Sequence, residues 1–232
     1  MKHPCAYLSC TSLILLMFIL FSGCTSETDV EEVVTLHANL FVRYIYPQQE
    51  YKAEVVFKEG DTLSSAQPVT IAGEVQFMDR VLPPNPLDDN LVRYDRRFKS
   101  AFEPKMTFLL PNTRGQETPF DLEILPLTEL NISPIISRES AFLFSCTPAT
   151  LTEKEAIILL FNDANNRAAS ITIEGPADLT QIQLSGNELG QLSPGVGTVY
   201  AVKKTDGQER QNDMVVHWSM EYYSDERPVQ IQ

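Results

Sequence analysis

The chain has 232 residues, a hydrophobic fraction of 43% and a formal net charge of −13, values that suit one large or two ordinary globular domains and exclude a disordered chain. So acidic a surface repels nucleic acid and anionic headgroups, and no nucleic-acid partner is expected. Of the four cysteines, Cys5, Cys10 and Cys24 fall at the very start, which leaves Cys146 alone and argues against a disulfide framework.

Lys2, the unbroken apolar run Leu13 to Phe21 and the small pair Ser22-Gly23 form the three parts of a secretory signal. The uncharged stretch reaches back to Pro4, so a spanning anchor of about 20 residues is the alternative. Leu20-Phe21-Ser22-Gly23-Cys24 resembles the lipobox of bacterial lipoproteins. That resemblance implies a signal peptide over 1–23, cleavage before Cys24, and acylation of that cysteine with palmitate-type chains. Each buried methylene contributes about 0.8 kcal/mol, so several chains hold a protein on a membrane permanently. Residues 24–32 then form an acidic tether, similar to export signals of surface lipoproteins in Bacteroidota. The implied location is the outer membrane, at the cell surface or alternatively on its periplasmic face. Removing residues 1–23 leaves 17 basic against 31 acidic residues, a formal charge of −14.

From Leu36 the sequence alternates with a period of two, the mark of strands with one buried face. Leu36, Ala38, Leu40, Val42, Tyr44 and Tyr46 fall on one side; Tyr51 to Phe57 and Val69 to Phe77 repeat the pattern. Met106 to Leu110 and Phe120 to Ile124 complete a first set. A second set follows Pro126: Phe142 to Cys146, Ala156 to Phe161 as a central strand, Ile171 to Ile173, Ile182 to Leu184, Val196 to Val202 and Met214 to Tyr222. Asn162 to Asn166 and Asp206-Gly207 have the composition of turns.

Residues 90–103 admit two readings. Leu91, Tyr94, Phe98 and Phe102 would make a helical stripe capped by Asp88 or Asp89, whereas Val92, Tyr94 and Phe98 alternate as in a strand. The strand is preferred because its neighbours are strands.

Two sets of short strands predict an all-β fold of two tandem antiparallel immunoglobulin-like β-sandwiches, with domains at 33–128 and 131–232. Leu192-Ser193-Pro194-Gly195 leading to Tyr200 resembles the Pro-Gly turn and tyrosine-bearing strand of immunoglobulin-like and fibronectin-type domains. The second half is also similar to Bacteroidota envelope proteins, a likeness that implies no activity.

Arg93, Arg96, Arg97 and Lys99 are the densest basic cluster in this acidic chain and, with Tyr94 and Phe98 interleaved, suit an anionic glycan, a phosphate-bearing headgroup or an acidic protein. A solvated strand face balanced by Asp95 and Glu103 is the competing reading. Trp218 alternates with Val216 and Met220 and is assigned to the core, so Tyr223, on the other face, is the exposed ring available to stack on a sugar. Cys146 shares a face with Phe142 and Phe144 and is expected to be a buried, inert thiol.

Catalytic chemistry finds no footing. His37 and His217 are the only imidazoles after Cys24, they stand in different predicted domains, and no G-x-S-x-G elbow is present. No metal-binding motif appears, and Asn162 to Asn166 lacks the glycine and glutamate of an EF-hand loop. The chain is therefore expected to be a non-catalytic envelope module without a cofactor, anchored through its acyl chains and binding an envelope protein or a glycan. Two alternatives stand beside it: a glycan-binding accessory of an outer-membrane nutrient transporter, and a divergent hydrolase.

Overall fold

Alternation governs the first two strands. In β1 (Leu36–Ile45) and β2 (Glu50–Glu59) every second residue is buried, from Leu36 to Tyr44 and from Tyr51 to Phe57. The tight connection between them is a 3-10 turn, Tyr46–Gln48, with Gln49 in the left-handed region at φ 48°. The computed structural model describes residues 34–88 and 90–232, so the signal, the lipobox with Cys24, the tether and Asp89 lie outside the described residues.

The first half continues through β3 (Gln67–Pro68), β4 (Gln76–Phe77), β5 (Arg80–Val81), β6 (Pro84–Asp88), β7 (Leu91–Lys99), β8 (Lys105–Pro111) and β9 (Glu117–Glu123). Residues 91–99 thus form a strand. The second half holds β10 (Thr128–Ile132), β11 (Ile135–Ile136), β12 (Phe142–Thr147), β13 (Thr150–Leu151), β14 (Glu155–Asp163), β15 (Ala168–Glu174), β16 (Ala177–Asp178), β17 (Ile182–Leu184), β18 (Gly195–Gln211), β19 (Met214–Tyr223) and β20 (Arg227–Ile231). The architecture is an all-β sandwich. Among the described residues no helix is long and apolar enough to cross a membrane.

One large sheet forms the backbone of the molecule, running β15-β14-β18-β19-β1-β2-β7-β6, with β20 and β11 branching from β18. A sheet of order β5-β4-β8-β9 supplies the aromatic layer of the first half: Phe77 lies 5.9 Å from Tyr51 and 4.6 Å from Phe108, ring centre to ring centre. In the second half Phe142, from the sheet β10-β12-β17, meets Phe161 edge-on at 6.0 Å. Phe57, Phe77, Phe108 and Phe161 are wholly buried, each contributing about 2 kcal/mol of transfer free energy.

The two halves share this large sheet. β19 pairs antiparallel with β18 and parallel with β1, from Leu36↔Met214 to Ile45↔Tyr223. The direction of a pairing is not encoded in alternation, and among the described residues β1–β19 and β11–β20 are parallel ladders. Residues 34–232 accordingly form one compact unit.

Asp206-Gly207 is not a turn, as its composition suggested. It lies inside β18, and the chain reverses at Asn212-Asp213, with Asn212 at φ 56°. Gly207 is there because it stands opposite Trp218: a Cβ at this position would lie 2.3 Å from the indole Cζ2. Trp218 itself is half-buried against the core.

Candidate functional site

Partners in a ladder point to the same face, so the register places side chains across the open side of the large sheet. Lys204, Glu221, Arg43, Lys52 and Arg97 form one row across β18, β19, β1, β2 and β7. Asp206, Ser219, Phe41, Glu54 and Asp95 form the next. At about 4.8 Å per strand each row spans roughly 19 Å. Tyr223 shares a row with Ile45, Glu50 and Lys99, so the ring and the basic cluster, distant in sequence, lie on one surface.

The cluster itself divides. Arg93, Arg97 and Lys99 lie on the open face, whereas Arg96 falls on the opposite face with Tyr94 and Phe98, where its Nη1 donates to the Val81 carbonyl at 3.1 Å. The interleaved rings are therefore not a platform beside the cations: Tyr94 is buried, and Phe98 packs under the Arg80 guanidinium at 4.3 Å. Strand alternation separates them, as a helix would not have done.

Ion pairs neutralise much of the face. Arg43 grips Glu221 through Nε and Nη2, both at 2.8 Å from Oε2; Lys52 Nζ lies 2.6 Å from Glu54, and Arg93 lies 3.1 Å from Asp95. Hydrogen bonds from Arg93 and Asn85 outweigh the effect of burial, which would raise it, and hold the Asp95 carboxyl below its ordinary value. Among the described residues Arg97 and Lys99 form no ion pair, and both are exposed. They are unpaired cations of this face.

Tyr223 is a hub. Its hydroxyl donates to Glu221 Oε2 at 3.2 Å, the Arg43 guanidinium lies 5.0 Å from its ring centre, and Tyr200 stacks beside it at 6.1 Å and 25°. Burial first, and the Glu221 charge second, raise its pKa. The two rings border an open cleft of about 640 Å3 walled by Pro47, Gln48 and Arg227. Tyr200, Phe41 and Arg43 were not among the site residues expected from sequence; only the strand order brings them to Tyr223.

The two histidines also meet. His37 Nδ1 lies 3.2 Å from His217 Nε2, and His37 Nε2 lies 3.2 Å from the Gly60 carbonyl. A carbonyl only accepts, so by this assignment His37 carries its proton on Nε2, accepts at Nδ1 from His217 Nε2–H, and leaves His217 Nδ1 as the basic nitrogen of the pair. Both nitrogens of His37, which is 4% exposed, are thereby engaged. His217 borders a second cleft, of about 730 Å3, with Glu155, Glu174, Lys204 and Asp206. Among the described residues no group of three or more His, Cys, Asp or Glu could hold a metal ion. Cys146 is buried and unpaired, and burial pushes its thiol up to about 11.

No family model matches this chain, and no curated protein does. Among solved structures, the crystal structure of dimeric latent PorU from Porphyromonas gingivalis is similar over 89% of this chain, at 9% identity and a TM-score of 0.27. The likeness covers 21% of that protein, so this chain spans about a fifth of its length.

Proposed function

We propose that the chain is a non-catalytic, lipid-anchored module of the outer membrane that binds an envelope partner on the open face of its large sheet. The observation that carries the reading is the alignment of Phe41, Arg43, Lys52, Arg97 and Tyr223 on one face that both halves build. Strands hold such a face rigid, and partner binding needs no catalytic group. Attachment through Cys24 rests on the lipobox resemblance alone. Two variants of the full-length protein, expressed in a bacterium that processes lipoproteins, test the reading. Cys24→Ala should leave the membrane fraction, and retention would overturn the anchoring. Arg97→Glu combined with Tyr223→Ala should lose envelope proteins that chemical crosslinking captures on the wild type; an unchanged set would overturn the face as the binding surface.

The stacked pair Tyr200–Tyr223 and its cleft favour a second reading, an accessory glycan-binding lipoprotein. Saturable binding of oligosaccharides, lost in Tyr200→Ala and Tyr223→Ala, would establish it. For a divergent hydrolase the basic nitrogen available would be His217 Nδ1, and hydrolysis that survives His217→Ala would remove that imidazole from consideration.

A further inference from the structure

The run of strands from β15 to β6 ends in two edges, and the chain treats them differently. At one end β6 pairs only with β7. Asp95 N–H donates to the Pro83 carbonyl, so Pro83 and Asn85 turn their backbone groups to β7, while Pro84 and Pro86 turn theirs outward. Proline has no N–H, and this edge offers no donor at either outward position. Prolines on an edge are a known block against strand addition.

At the other end β15 pairs only with β14, from Ala156↔Glu174 to Asn162↔Ala168. Gly175 N–H donates to the Glu155 carbonyl and Asp163 N–H to the Arg167 carbonyl. The alternation of an antiparallel ladder then directs the groups of Ala169, Ile171 and Ile173 to β14, and those of Ala168, Ser170, Thr172 and Glu174 outward. Gln191 Nε2 caps the Ala168 carbonyl at 2.6 Å. Among the described residues, nothing bonds the outward backbone groups of Ser170, Thr172 or Glu174. The strand, AASITIE, contains no proline and no basic residue.

We propose that β15 is an interaction edge and that its partner is β15 of a second copy of this chain, added antiparallel about a two-fold axis at Thr172. This register fits the strand from Ser170 to Glu174. It uses the three residues whose groups are free and spares Ala168, which Gln191 already engages. Thr172 stands opposite itself, a favourable cross-strand pair, and Ser170 stands opposite Glu174, so no like charges meet. Ile171 stands opposite Ile173, and both continue the buried layer of the sheet. The contact is isologous and therefore closes as a dimer. This inference is independent of the open-face reading, since the edge and the face are different surfaces.

Site-specific crosslinking of the full-length protein in bacterial membranes tests it. Facing Thr172 residues would have Cα atoms about 5.5 Å apart, within disulfide range. Under mild oxidation Thr172→Cys should give a species of twice the monomer mass, while Leu87→Cys on the proline-blocked edge and the wild type should not. Adding Ser170→Glu sets two carboxylates against Glu174 and should cut the yield about threefold or more, whereas Ser170→Lys should preserve it. Equal yields at Thr172→Cys and Leu87→Cys, a product of another mass, or equal effects of the two Ser170 changes would each overturn the pairing.

Discussion

His37 and His217 are separated by 180 residues and yet share a hydrogen bond of 3.2 Å across the β1–β19 ladder. The pair sits at the seam where a strand from the C-terminal half joins the sheet of the N-terminal half. The neutral pair satisfies three of its four ring nitrogens internally, and a proton added at the remaining one, His217 Nδ1, puts a charge in a partly buried site beside His37.

Acid should therefore weaken the seam. Burial first, and the His37 charge second, hold the His217 imidazole below its ordinary value of 6.5. The unfolded chain then binds more protons than the folded one just below pH 6.5, so stability rises with pH through that window and is lost on acidification. The midpoint of thermal unfolding should fall between pH 7.5 and 5.5, and His217→Gln should flatten that dependence. Parallel curves for the two proteins would contradict the assignment.

Lys203 is 1% exposed and is neutralised by Glu155 at 2.7 Å. Burial would raise the Glu155 carboxyl, but bonds from Lys203 and the Thr152 amide, with the Lys203 charge, hold it below its ordinary value. Glu155→Ala leaves an uncompensated buried ammonium and should cost about 3 kcal/mol, whereas Lys203→Met should cost much less. Urea unfolding of both variants measures the asymmetry, and equal losses would show that the pair is not the determinant.

Asp163 organises two loops at once. Its carboxylate accepts from the amides of Asn165 and Arg167 in the β14–β15 turn, and from that of Ser193 at 2.7 Å. These bonds, led by Ser193, lower its pKa from 3.8 to about 2. A depressed carboxylate contributes stability above its unfolded pKa and loses it as pH falls through the folded one, so this contribution should vanish between pH 3.8 and about 2. Asp163→Ala should lack that acid transition and should speed hydrogen exchange at Ser193. Unchanged exchange there would separate the two loops.

Gly207→Ala should displace the sole tryptophan, because the added methyl would lie 2.3 Å from Trp218 Cζ2. Overpacking of this kind costs about 1–3 kcal/mol. A shift of the fluorescence maximum should accompany the loss of stability, and an unshifted spectrum would show that the indole has room to move.

Single-residue periodicity carried much of this fold. Leu36 to Tyr44, Tyr51 to Phe57 and Phe142 to Cys146 are buried as alternation assigns them, because a strand with one wet face must place every second side chain in the core. The basic cluster and Tyr223 were visible as residue types with an unusual composition around them. What they faced was not. Alternation says which side of a strand a residue takes, but it carries no information on which strand lies next to it or in which direction.

The sequence by itself determined the all-β class and the burial of Cys146, which follow from local pattern, whereas residues 90–103 admitted both a helix and a strand. Only the tertiary structure decided that β19 joins β1, and with it that His37 meets His217, and that β18 lies beside β19 so that Tyr200 stacks on Tyr223. The reason is physical: a pairing between strands far apart in the chain is chosen by the packing of whole faces, and no segment of ten residues holds that choice.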